Sequence, residues 1–382
     1  MADFCDYLDW RGDLTFEVSP FNEIDNLVLA MLSFVDFSGS VPSSVYDGPV
    51  KITDAWEIYR QQYPDGQRFG QVIPPALGGL FEKAVKSVRF SDLYVTAACS
   101  VTDEETTVQF AAVTFVLPDH SLYVSYRGTD DTLVGWREDC NLSFESPVRA
   151  QKLATDYLAE VGGFYAGGIR TGGHSKGGNL AVYAAVTAPD SIRDRIITAY
   201  SNDGPGLPDE LLATEAYQSM RPRLCTFVPQ SSLVGMLLGH GEDYHVIEST
   251  LKDGIFQHNP FSWKVLGTSF IHLPGLSEGG RRNETVMREW LASMTTEDRR
   301  RMTDTLFTLL GSTGAKTISD LSADRLGSTL SAIRTYAGLD KDTREMLFRF
   351  TRQLAETVIE YRANDKNDKK NEPKGDAAHD GD

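Results

Sequence analysis

Apolar and polar residues change their period several times along this chain, and the changes mark its elements. Residues 108–117 and 121–126 alternate with the two-residue period of strands. They join across Pro118-Asp119-His120, which predicts an antiparallel hairpin. Residues 168–172 are short and partly β-branched, as at the end of a buried strand. Residues 179–188 are rich in Ala and Leu and stop at Pro189, as helices tend to do. Residues 195–200 read as a further buried strand. Strand, helix and strand in that order predict a parallel βαβ unit. Upstream, residues 24–35 and 76–87 read as helices expected to cover one flank of the sheet. Gly162-Gly163 and Gly167-Gly168, around an aromatic pair, read as turns.

Beyond about residue 280 the period becomes helical. Residues 283–294, 297–310, 324–336 and 342–363 all predict helices. In the last, Leu347, Phe350, Leu354, Val358 and Tyr361 recur on one face, and Asp342 with Glu345 resembles a capping box. Such stripes need a partner surface: a cap over a site, a small appended bundle or a dimer contact, of which the bundle is the simplest. Residues 364–382 are charged, carry almost no large apolar groups and are expected to be disordered. The expected organisation is a 1–280 α/β domain, a 281–363 helical extension and a 364–382 tail.

A length of 382 residues with 41% hydrophobic content suits a large α/β domain with additions. The net charge of −17 argues against a nucleic-acid partner, whose phosphates demand basic patches. It also disfavours attraction to anionic lipid surfaces, without opposing hydrophobic capture of a lipid. No apolar run reaches the roughly 18 residues of a membrane span, and residues 27–35 come nearest. The acidic N-terminus has no charged-then-apolar leader. Four scattered cysteines (5, 99, 140 and 225) suit free thiols. A cytoplasmic protein is expected. There is no zinc spacing, phosphate loop or dinucleotide fingerprint, so no cofactor and no metal is expected.

Candidate chemistry centres on Gly172-Gly173-His174-Ser175-Lys176-Gly177-Gly178-Asn179. Gly173-x-Ser175-x-Gly177 has the spacing of a nucleophile elbow, where a strand turns sharply into a helix and leaves the serine exposed. The predicted strand and helix stand on the correct sides of it. Earlier, Leu122–Tyr126 runs into Arg127-Gly128-Thr129-Asp130-Asp131, followed by Trp136-Arg137-Glu138-Asp139. An apolar strand ending in Arg-Gly-Thr, with Trp-x-x-Asp further on, resembles the oxyanion segment of the class 3 (fungal-type) lipases. Gly-His-Ser-x-Gly-Gly resembles the elbow of that family. The whole stretch, about residues 20–275, is more similar still to the bacterial Mbeg1-like or DUF2974 family of α/β-hydrolases. The matching features are the elbow, Asp203-Gly204-Pro205-Gly206, Gln257-His258 and an early Phe21-Asn22-Glu23-Ile24-Asp25-Asn26. The resemblance implies an α/β-hydrolase fold with a mostly parallel central sheet, here with a C-terminal helical extension.

Acyl transfer needs a nucleophile, a base, a group that orients the base and donors for the oxyanion. Ser175 is the expected nucleophile. The expected donors are the backbone N–H groups of Lys176, at a helix N-terminus, and of Thr129, whose hydroxyl could add a third bond. Hydrolases of this fold run Ser, acid, His, so the base lies late in the chain. His120 and His379 fall outside that window, and the family gives His174 a structural place below the turn. Among His240, His245, His258 and His272, the loop position and the family's Gln-His favour His258. His245, in a strand pattern, is the runner-up and reads as a packed histidine. The class 3 lipases carry their acid after the next strand, but that segment here, residues 226–235, offers Ser231 and Ser232 instead. Asp203, directly after the strand at 196–200, is the replacement; otherwise it forms an Asx turn.

Around these residues, Lys176 is expected to point to solvent or to a lid, Arg127 could pair with Asp139, and Trp136 reads as core. Asp130 and Asp131 could bond the oxyanion loop or cap the next helix. Glu242 and Asp243 read as solvated. The expected activity is a serine hydrolase acting on an ester, lipase or carboxylesterase in type. Thioester, phospholipid or amide cleavage would use the same groups, and a non-catalytic scaffold that binds a ligand or partner is the reading of another class. The C-terminal helices could also serve a homo-oligomer.

Overall fold

The hairpin predicted around Pro118 lies in the antiparallel part of a nine-stranded sheet. The computed structural model describes residues 2–252, 254–323, 325–350 and 352. The strands are β1 (Val50–Lys51), β2 (Tyr94–Asp103), β3 (Val108–Val116), β4 (Leu122–Tyr126), β5 (Ile169–His174), β6 (Ile196–Asn202), β7 (Leu224–Pro229), β8 (Tyr244–Ile247), β9 (Val265–Leu266), β10 (Ser269–Phe270) and β11 (His272–Leu273). The large sheet has the order β1-β2-β3-β4-β5-β6-β7-β8-β11, and β9 and β10 pair separately. Neighbours from β1 to β4 are antiparallel. Those from β4 to β8 are parallel, and β11 closes the far edge antiparallel to β8. This is the α/β-hydrolase fold.

Helices cover both faces, so β3 and β4 are buried almost throughout. One flank is N-terminal: the helices Phe4–Arg11, Glu23–Leu32, Ile52–Gln62 and Leu77–Lys86 pack Leu27, Val28, Met31, Leu80 and Phe81 onto Phe115 and Tyr123. The helix Glu23–Leu32 starts from an Asn22–Asp25 capping box and is apolar nearly all round, as a helix sandwiched in a core should be. The other flank is Arg149–Phe164 and Lys176–Thr187, with Ala154, Leu158, Val161, Leu180 and Ala184 in the core. Gly162-Gly163 therefore belong to a helix and not to a turn. Gly162 is buried where a Cβ would crowd the Ile169 and Ile192 side chains at 3.1 Å, so close packing outweighs its poor helix propensity.

The C-terminal region is helical, as its period predicts. Its helices are Glu278–Ala292, Thr296–Gly311, Ile318–Ala323 and Arg325–Gly338. Residues 341–350 are helical too, and Asp340, not Asp342, accepts the Thr343 N–H at the start of that turn. The apolar stripe beyond Phe350 and the 364–382 tail lie outside the described residues. Met294, Met346 and Phe350 form a small core with Trp290 and Met302. Backbone bonds join the extension to the body at two of their contacts. The Ser277 N–H donates to Gln230 O at 2.8 Å, and residues 316–319 pair with 131–133 through Leu133 N–H to Lys316 O and Ile318 N–H to Asp131 O. Among the described residues no helix is long and apolar enough to cross a membrane.

Candidate active site

β5 ends at His174, and the helix Lys176–Thr187 begins two residues later. Ser175 makes that turn with φ 58° and ψ −133°. A left-handed non-glycine backbone costs about 1–3 kcal/mol and persists only where its surroundings hold it. Here the Ser175 N–H donates to Asn202 O at 3.0 Å, and the Gly178 N–H donates to Ser175 O at 2.9 Å. The flanking glycines are required by space. A Cβ on Gly173 would lie 2.3 Å from the Gly177 carbonyl carbon, and one on Gly177 would lie 2.1 Å from Tyr126 O. Asn202 is braced in turn by Asn26, whose amide donates to Asn202 Oδ1 at 2.8 Å, and its own amide donates to Gly173 O at 3.0 Å.

β6 delivers Asp203 in the same manner, with φ 53° immediately after the strand. The carboxylate is wholly buried. Its Oδ2 accepts from His258 Nδ1 at 2.7 Å, and its Oδ1 accepts from Ser232 Oγ at 2.5 Å. With Nδ1 donating to a carboxylate, the basic nitrogen of His258 is Nε2. His258 closes the short helix Phe256–His258. The segment is anchored by Gln257, which accepts the Ser231 N–H and donates to Leu251 O, and by Trp263 Nε1, which donates to Gln257 O. His174 completes the fixture: its Nε2 lies 2.8 Å from His258 O, and the two rings are 4.5 Å apart. Burial, then the neighbouring His258, pushes the His174 pKa well down, so it stays neutral and donates that bond.

The loop after β4 lies directly against the elbow. A Cβ on Gly128 would fall 2.5 Å from His174 O and 3.3 Å from Ser175 Cβ. Thr129 follows, and its hydroxyl donates to Asp139 Oδ2 at 2.5 Å. That proton is committed, so the hydroxyl is not the extra oxyanion donor expected from the sequence. Asp139 likewise does not pair with Arg127, which bonds Asp130 instead at 3.2 Å. Asp130 also accepts from the Thr132 N–H and hydroxyl, and Thr132 caps the helix Leu133–Asn141. Lys176 corrects another expectation. Its side chain is fully buried, with Nζ 2.7 Å from Gln109 Oε1 and 3.1 Å from Glu138 Oε2. Its backbone N–H opens a helix and has no partner within it.

These groups share one cavity of about 710 Å³, lined by Thr129, Asp139, His174, Ser175, Lys176 and His258. The remaining walls are mainly apolar: Met31, Phe34 and Ile73 from the N-terminal region, and Leu237 and Leu251 from loops near His258. Met287, Trp290, Leu291, Met302 and Leu306 reach in from the two helices spanning 278–311. Trp136 stands in the wall and is 37% exposed, so it is not a core residue. Of the other histidines, His245 lies exposed on β8 against Phe227 and His272, and His272 bonds Glu23. Glu242 is buried, not solvated, and accepts from Tyr217, Thr226 and His240. The bond from Ser232 to Asp203 and the burial of Lys176 were not foreseen, whereas a cap over a site was one of three alternatives for the C-terminal helices. Ser231 and Ser232 at the vacated acid position were the one available signal.

The sequence model of the Mbeg1-like family matches residues 84–308, more than half of the chain. Among solved structures, the chain is similar to the Rhizomucor miehei lipase propeptide complex. Identity is 16%, with 47% of this chain and 70% of that chain covered, at a TM-score of 0.32. It is also similar to M37 lipase at 12% identity, covering 55% of this chain and 68% of that one, at a TM-score of 0.35. No curated protein matches.

Proposed function

This chain belongs to the Mbeg1-like family, and from that footing we propose that it is a serine hydrolase that cleaves an ester, lipase or carboxylesterase in type, through an acyl-enzyme on Ser175. The observation that carries the reading is the 2.7 Å bond from His258 Nδ1 to the buried Asp203, beside a serine on a strained strand-to-helix turn in the same cavity. Ser175 Oγ attacks the acyl carbonyl while His258 Nε2 takes its proton. Asp203 fixes the imidazole tautomer and stabilises the imidazolium. The oxyanion receives the N–H groups of Lys176 and Thr129, each such donor being worth roughly a hundred- to thousand-fold in rate. His258 then protonates the leaving alcohol, and the same base activates a water to release the acid.

The mainly apolar walls favour an uncharged, hydrophobic acyl group. Residues 1–280 form the hydrolase body. The extension from residue 281 acts as a cap, a role supported by the five large side chains it lends to the cavity. Four unpaired cysteines fit a reducing, cytoplasmic setting. Hydrolysis of p-nitrophenyl esters by purified protein tests the reading. Wild type turns them over and Ser175→Ala falls by at least about a thousandfold, whereas equal rates would refute the assignment.

A further inference from the structure

An elbow needs only the backbone amide of the residue after the nucleophile, yet here that residue is a lysine buried without remainder. Lysine is almost never fully buried unless paired. The Lys176 ammonium donates to Gln109 O at 2.9 Å, to Gln109 Oε1 at 2.7 Å and to Glu138 Oε2 at 3.1 Å. Glu138 is itself fixed, accepting the N–H groups of Gln109 and Ala150 at 3.0 and 2.9 Å. Next along the same helix, Asp139 places Oδ1 3.8 Å from the ammonium. That oxygen is buried with no hydrogen-bond partner, so the Lys176 charge is what compensates it. The other oxygen of Asp139 holds the Thr129 hydroxyl.

The two proposed oxyanion donors thus come from separate loops joined by one buried chain, Lys176 to Glu138 and Asp139, and Asp139 to Thr129. Resting on the Ser175 reading above, we infer that the Lys176 side chain is a positioning residue for acyl transfer: it clamps the elbow to the helix Leu133–Asn141 and, through Asp139, holds Thr129 ready for the oxyanion. Donors serve an oxyanion only within about 2.7–3.1 Å of where it forms, so a slack Thr129 lowers kcat more than it raises KM.

The chain also has a pH signature. Burial pushes the Asp139 carboxyl up to about 6, with Lys176 and Thr129 pulling against that rise, Glu138 adding to it and the nearby His258 opposing it. Only ionised Asp139 obliges Thr129 to donate. Removing the Lys176 charge raises Asp139 further, and the acidic limb of the rate profile moves to higher pH.

The test uses full-length protein carrying Lys176→Met. The double variant Lys176→Met/Glu138→Gln is made beside it, because a lone buried Glu138 could unfold the single one. Both are checked by thermal melts, then by p-nitrophenyl ester kinetics and by fluorophosphonate labelling of Ser175. The inference expects a folded variant with kcat down roughly ten- to a hundredfold, KM within about twofold, labelling slowed in step and, for Lys176→Met, an acidic limb displaced upward. A folded double variant with wild-type kcat overturns the inference alone. Wild-type protein that neither turns over ester nor labels at Ser175 overturns the underlying reading, and the inference with it.

Discussion

At the scale of single residues, Ser232 and Asp203 hold the proposed base, His258, in place. Ser232 stands after β7 and donates to the Asp203 carboxylate that follows β6. Asp203→Asn should leave a folded protein with kcat lowered about ten-thousandfold, because the amide presents the wrong partner to His258 Nδ1. Ser232→Ala removes one bond to a buried charge and should cost roughly ten- to a hundredfold in kcat; steady-state kinetics measures both. His240 is a second informative residue. Its Nδ1 faces Glu242 and its Nε2 faces Gly235 O, so both nitrogens donate. Burial pulls its pKa down, but Glu242, Gly235 and Asp203 outweigh that and raise it above 6.5. A raised histidine contributes stability that is full below its unfolded pKa and is lost as pH rises through the folded one. Burial raises the partner Glu242, but His240, Thr226 and Tyr217 win and bring it to about 2, so its contribution is lost only as pH falls from 4.5 towards 2. Melting temperatures should therefore decline as the pH rises above 6.5, less steeply in His240→Gln; parallel declines would refute this. Ser175 was legible from sequence because local backbone geometry dictates its glycines. The buried side chain of Lys176 was not, because Gln109 and Glu138 come to it from distant parts of the chain.

At the scale of elements, the helices Glu278–Ala292 and Thr296–Gly311 matter for where they dock. Their periodicity announced them as helices, but an apolar stripe does not say which surface it will cover. Docking rests on long-range contacts such as Arg299 to Ser143 O and Arg137 to Asp304, which leave no mark on the local pattern. In this account the pair shapes the acyl pocket. Trp290→Ala should open the wall and shift the preferred acyl chain to a longer or bulkier one, changing the ratio of kcat/KM between long and short esters by about tenfold. A chain-length series of esters measures it, and an unchanged ratio would remove the cap from the specificity argument. The double glycine at 162–163 shows the reverse failure, where a local turn signal lost to packing inside the helix Arg149–Phe164.

At the scale of the whole molecule, the parallel β5–β6 unit with its elbow followed from the order of apolar runs, and the mostly parallel sheet around it from the family resemblance. The N-terminal flank was half legible. The helices Phe4–Arg11 and Ile52–Gln62 were missed, since short segments with many charges show little period. That flank is tied down by a buried cluster. Arg89 makes a two-point bond to Asp25 at 2.6 and 2.5 Å and also donates to Leu14 O and Ser19 O, while Tyr7 OH donates to Asp25 at 2.8 Å. Both charged side chains are fully buried. Arg89→Met leaves the buried carboxylate without its counter-charge and should cost about 3–5 kcal/mol, read from denaturant unfolding. Because the adjoining Asn26 braces Asn202 beneath the elbow, the loss should reach the site as well.

The central claim is that Ser175, His258 and Asp203 form one acyl-transfer unit. Fluorophosphonate labelling tests it most directly, since the probe needs an activated serine and no knowledge of the substrate. Labelling is expected at Ser175 in wild type and is lost in Ser175→Ala, with a slowing of at least about a hundredfold in a folded His258→Ala. No labelling of wild type, or labelling indifferent to His258, would contradict it.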